Sequence, residues 1–158
     1  MNGTVTLRAQ LSAGLIAGVV GGILVALFFL VAISLGGGRF GSMLDLMQWV
    51  AGTVLGSGAA TNPAAPWIAL GLHFAVSILW ALGYVYLVRS QPQLLSHPWI
   101  SGAGFGLVVY VFMQIALIVD ADWHRPSGPA ALGAGLLSHI VFYGIPVGLL
   151  VSRFLRRA

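Results

Sequence analysis

Apolar residues in this chain do not alternate with polar ones. They run in four long blocks, Leu11 to Leu35, Trp67 to Val88, Ile100 to Val119 and Ala130 to Val151, separated by stretches that hold nearly every charge. A helix crosses a bilayer core with roughly 20 apolar residues at about 1.5 Å rise each. Each block is long enough. The pattern predicts an all-α, polytopic membrane protein forming one transmembrane domain over residues 1–158. The first block follows Arg8 as a signal peptide would, but its apolar run exceeds the usual length of about 7 to 15 residues and no A-x-A cleavage site is convincing. It is expected to remain as a helix.

The connection between the first two blocks is too long for a plain turn. Within it Ser42 precedes Asp45 by one helical turn, a variant of the capping box, and Met43, Leu46, Met47, Val50 and Val54 recur at helical spacing. Asp45, Gln48 and Gly52 fall on the opposite face. The expectation is a short helix over about Met43 to Gly56, either lying in the outer membrane interface or packed on its own bundle. Pro63 and Pro66 close the connection.

Composition makes the solvent lipid. The 158 residues are 59% hydrophobic and 6% charged, with a mean hydropathy of +0.99, whereas a soluble domain needs about 25% charged residues to cover its surface. All charge comes from seven Arg and three Asp. No aromatic-basic alternation accompanies the Arg153, Arg156 and Arg157 cluster, so nucleic acid is not an expected partner. With an internal N-terminus, Arg8, Arg89, Arg153, Arg156 and Arg157 lie on the cytoplasmic side and only Arg39 and Arg125 outside. The positive-inside rule favours that orientation, both termini cytoplasmic. Trp67 and Trp123 at the outer boundary, and Tyr84, Tyr86 and Trp99 at the inner one, are expected to form interfacial belts. The absence of Cys excludes disulfides, thiolate metal sites and Cys nucleophiles.

Small residues four apart let membrane helices approach closely. Gly14, Gly18 and Gly22 in the first span, Gly102 and Gly106 in the third, and Gly144 and Gly148 in the fourth are candidate packing faces. Pro146 predicts a kink in the fourth span. A Gly-rich span followed by a span carrying one histidine occurs twice, with HFAVSILWALGYVYLVRS from His73 paralleling HIVFYGIPVGLLVSRFLRR from His139. This predicts two pseudo-repeated helical hairpins.

Polar groups inside spans are costly and mark candidate sites. His73 lies about 9 Å from the outer end of its span, Gln114 at a similar depth, and His139 about 13 Å deep, counted by helical rise. Three helices thus bring polar groups to one layer. His73 and His139 could serve as axial ligands of a b-type haem, with Ala69 and Gly135, one turn before each, leaving room for the macrocycle. Alternatively the layer is interhelical hydrogen bonding with no cofactor. No carboxylate accompanies it, so neither zinc nor a proton relay is expected. Ser138 beside His139 is not a dyad signal, because adjacent helical residues diverge. Asp120, Asp122 and His124 in VDADWHRPSGP are expected to be a solvated loop, with weak ion binding as the alternative.

The segments MQWVAGTVLGSGA, IALGLHFAVSILWALGYVYLVRSQPQL, ISGAGFGLVVYVFMQIALIVD and LLSHIVFYGIPVGLLVSR together carry a resemblance. The chain resembles uncharacterised bacterial inner-membrane proteins, loosely of the YagU type, over about Met47 to Arg153. The resemblance implies a four-helix bacterial inner-membrane protein and no particular activity. With no catalytic constellation, the leading expectation is a non-catalytic accessory subunit or partner of a larger membrane complex. A haem-binding electron carrier and a small channel or transporter are the alternatives.

Overall fold

The computed structural model describes residues 6–36, 42–119 and 129–156. Among these residues five main helices follow one another: α1 (Leu7–Ser34), α2 (Met43–Leu55), α3 (Ala65–Ser90), α4 (Pro98–Val119) and α5 (Pro129–Leu155). Among the described residues there is no strand. All but α2 are long and apolar enough to cross a membrane, so the chain is an all-α polytopic membrane protein. Helix ends follow local chemistry. Thr6 caps α1 by accepting a hydrogen bond from the Ala9 amide at 3.3 Å, and Ser42 caps α2 through the Asp45 amide at 3.2 Å. Gly36, with φ +71°, supplies the left-handed residue just past the end of α1.

Polarity varies little around α1; size does. Its buried face carries Ala13, Gly14, Ala17, Gly18, Gly21 and Gly22, while Leu11, Leu15, Ile23, Leu27 and Val31 are exposed. A soluble helix would bury the large apolar side chains. In lipid they lose nothing by facing outward, and the small residues bring backbones together.

Gly14, Gly18 and Gly22 descend along α3. A Cβ at Gly14 would strike the Leu82 side chain, one at Gly18 would lie 2.6 Å from the Ile78 Cα, and one at Gly22 3.1 Å from the Phe74 ring. The α4–α5 seam is closer still, because both helices contribute glycine. A Cβ at Gly102 would meet the Gly144 carbonyl, one at Gly106 the His139 carbonyl, and one at Gly148 the Pro98 carbonyl. In both hairpins, therefore, the Gly-rich helix seats the histidine-bearing one. Gly21 completes the centre, where a Cβ would come 2.8 Å from the Tyr143 ring of α5.

Helices α3 and α4 are bridged by rings. Trp80 meets Phe105 and Phe112 edge-on at centroid distances of 6.1 and 5.1 Å, and Tyr84 lies 4.9 Å from Phe105. Tyr84 is thus fully buried, in contrast to the expected interfacial belt, with its hydroxyl 2.7 Å from Ser101 Oγ. Tyr86, Trp67 and Trp99 are exposed near helix ends. Trp123 lies outside the described residues.

Helix α5 departs from the simple Pro146 kink. Residues Ser138–Gly144 form a π-helical segment, closed by the Ile145 amide bonding five residues back to Ile140, and Pro146 sits in the first turn of the α-helix that resumes there. Proline has no N–H to bond the carbonyl four residues back and its ring crowds that position. The wider register accommodates both.

Helix α2 packs on the bundle. Ala51 and Gly52 are buried against α3, where Ala65 and Ala69 join the same cluster. Gly52 therefore lies on the buried face, and Val54, at 65% exposure, does not. Gln48 Nε2 donates to the Ala60 carbonyl at 3.3 Å, tying α2 to the turn that follows.

Candidate functional site

A cavity of about 610 Å³ lies between α3 and α4 and is lined by α1, α2 and α5 as well. His73 of α3, Gln114 of α4 and His139 of α5 all line it. The three polar residues placed in one layer by depth alone thus share one space. Met43, Leu46, Met47 and Val50 of α2 form one wall, and Trp80, Ser77 and Tyr143 also line the cavity. Ala69 and Gly135 border it too.

Each histidine is anchored by one nitrogen to a backbone carbonyl. His73 Nε2 lies 2.9 Å from the Gly22 carbonyl of α1, and His139 Nδ1 lies 2.7 Å from the Gly135 carbonyl in its own helix. A carbonyl can only accept, so both ring nitrogens carry the hydrogen. Among the described residues the lining includes no carboxylate to pair an imidazolium, and an unpaired charge within a span is expensive. As neutral imidazoles the two rings are then opposite tautomers, with His73 Nδ1 and His139 Nε2 as acceptors.

Ser138 comes close to His139, with its Oγ 3.1 Å from Nδ1. The proximity arises from a shared acceptor. Ser138 Oγ donates to the Gly135 carbonyl at 2.8 Å, at the junction where α-helical register gives way to π. Nδ1 already donates there, so it cannot take a proton from the serine. The pair is not a nucleophile and base.

Gln114 is oriented by a relay. Tyr110 OH donates to the Leu132 carbonyl at 3.2 Å, and Gln114 Nε2 donates to Tyr110 OH at 3.3 Å. Tyr110 also stacks obliquely on His139, ring centroids 5.7 Å apart. Tyr143 OH donates to the Ser77 carbonyl, joining α5 to α3 beneath the layer. Tyr110 and Tyr143 were not singled out from sequence. Both had a signal: Tyr110 precedes Gln114 by four residues and Tyr143 follows His139 by four, which places each pair on one helix face.

Asp120, Asp122 and His124 lie outside the described residues. Among those described, no group of three metal-ligating side chains occurs. Helical architecture and apolar spans define the class, a multi-pass membrane protein with a side cavity. No protein family, curated protein or solved structure matches the chain.

Proposed function

We propose that this chain is a non-catalytic integral protein of the bacterial plasma membrane that holds a lipophilic small molecule between α3 and α4, as an accessory to a larger membrane complex. The single observation that carries this reading is the cavity itself, about 610 Å³ with an apolar lining and a few convergent polar groups. Small-molecule sites span about 300–1,000 Å³ and share that chemistry. Arg8, Arg89, Arg153 and Arg156 stand at helix ends belonging to one side of the bundle, which supports cytoplasmic termini and puts the cavity in the outer leaflet. Among the described residues the lining has no carboxylate and no activated nucleophile, which supports a binding role over a catalytic one.

The test is solvent extraction and mass spectrometry of protein purified in mild detergent, beside an Ala134→Trp variant whose indole would fill the cavity. A lipophilic molecule in fixed ratio to the wild-type chain and absent from the variant is the expected result. Identical extracts containing bulk phospholipid alone would refute the reading.

Haem between His73 and His139 is the second reading, supported by both imidazoles bordering one cavity beside the small Ala69 and Gly135. It requires His73 to release its Nε2 from the Gly22 carbonyl. A dithionite-reduced α band, lost in His73→Ala and in His139→Ala, would establish it over the first.

A further inference from the structure

The hydrogen bonds inside the cavity specify what kind of head group it accepts. His73 and His139 have each committed their one N–H to a carbonyl, at 2.9 and 2.7 Å. Each therefore turns a lone pair, not a hydrogen, to any guest. Gln114 adds a third acceptor. Tyr110 OH spends its hydrogen on the Leu132 carbonyl and so can only accept from Gln114, which fixes the amide nitrogen toward Tyr110 and leaves Oε1 as the exposed end. Neither imidazole acceptor nor the amide oxygen has a donor among the described residues. Of the other donors bordering the cavity, the Ser77 hydroxyl and the Trp80 indole lie about one and two turns along α3 from His73, while Trp49 and Thr53 belong to α2, the Thr53 hydroxyl donating to the Val50 carbonyl at 2.7 Å.

A layer with three open acceptors, two of them imidazole nitrogens with no N–H left to offer, favours a guest that supplies hydrogens, and the one donor Gln114 keeps is its second amide N–H. The surrounding walls favour an aromatic body. Trp80, Tyr110, Tyr143 and the imidazoles offer ring faces and edges, and Met43, Met47 and Met113 offer thioethers that contact rings favourably. We infer that the cavity selects an apolar phenol or hydroquinone, its hydroxyl donating to His139 Nε2, His73 Nδ1 or Gln114 Oε1, over the matching ether or quinone. This rests on the reading of the cavity as a ligand site. A site built to hydrogen-bond a hydroxyl rejects the analogue that lacks it, because its own buried polar groups are then left unpaired.

The experiment uses two probes of one shape, 4-nonylphenol and its methyl ether 4-nonylanisole, bound to the full chain in lipid nanodiscs with empty nanodiscs as the reference for partitioning. The expected result is at least about tenfold tighter binding of the phenol, the equivalent of one hydrogen bond to a buried acceptor. In His139→Leu that preference shrinks while the anisole still binds. Should the variant fail to fold, the wild-type comparison decides alone. Equal affinities for both probes would overturn the donor inference and leave the binding reading standing. Saturable binding of neither, with both merely partitioning as into empty nanodiscs, would overturn both.

Discussion

Glycines two residues apart on α4 should respond in opposite directions to the same added methyl group. At Gly104 a Cβ would have nothing within 4 Å, whereas at Gly102 it would strike the Gly144 carbonyl oxygen and lie 3.1 Å from its carbon and 3.2 Å from the Gly148 Cα. Every one of those neighbours is backbone, so no side chain can rotate aside and α4 must move away from α5. Gly104→Ala gains up to about 1 kcal/mol from helix propensity. Gly102→Ala gains the same term but loses about 1–3 kcal/mol to overpacking, and more if the seam opens and the other glycine contacts at Gly106 and Gly148 are lost with it. The propensity term cancels between them, so the two variants should differ by about 1–3 kcal/mol. Reversible unfolding in mixed micelles with increasing SDS, followed by far-ultraviolet circular dichroism, measures the difference. A Gly102→Ala protein as stable as Gly104→Ala would refute the close backbone seam, and with it the reason given for the glycines in α4 and α5.

Other consequences are more local. Tyr84→Phe and Ser101→Ala should each destabilise the bundle, and the double variant should cost less than their sum by about 0.6 kcal/mol, a typical interhelical hydrogen-bond coupling in membranes; the same unfolding assay completes the cycle, and strict additivity would deny the 2.7 Å contact a role. Gly56, at φ +57° and ψ −143°, occupies a region open almost only to glycine, so Gly56→Ala should cost about 1–3 kcal/mol. Gly58→Ala, with open space around its Cβ, is the control and should cost less. Nitrogen-15 NMR of histidine-labelled protein should find the Nε2–H form at His73 and the Nδ1–H form at His139; the same tautomer at both would break the acceptor layer.

Much of this molecule is local in origin and therefore readable in one dimension. Hydropathy over some twenty residues sets whether a segment enters lipid, so the all-α architecture and its four spans followed from the blocks of apolar residues, with the helices Leu7–Ser34, Ala65–Ser90, Pro98–Val119 and Pro129–Leu155 each starting before the expected bound. Depth is also one-dimensional, being rise times residue count. That is why His73, Gln114 and His139 could be placed in one layer before any fold was known. The direction in which each points depends on neighbours far along the chain. Gly22 lies 51 residues from the His73 it anchors, and the π segment that sets the azimuth of His139 arises where Pro146, Gly102 and Gly106 act on one stretch of α5. Tyr84 sat at the right depth for an interfacial belt, but its partner Ser101 belongs to another helix and draws it inward. Composition determined the solvent and the number of crossings, because transfer to lipid is a property of each segment by itself. Only tertiary packing decided which faces met, which nitrogens were spent on carbonyls and that α3 and α4 would stand apart around a cavity, because those are properties of pairs of surfaces brought together.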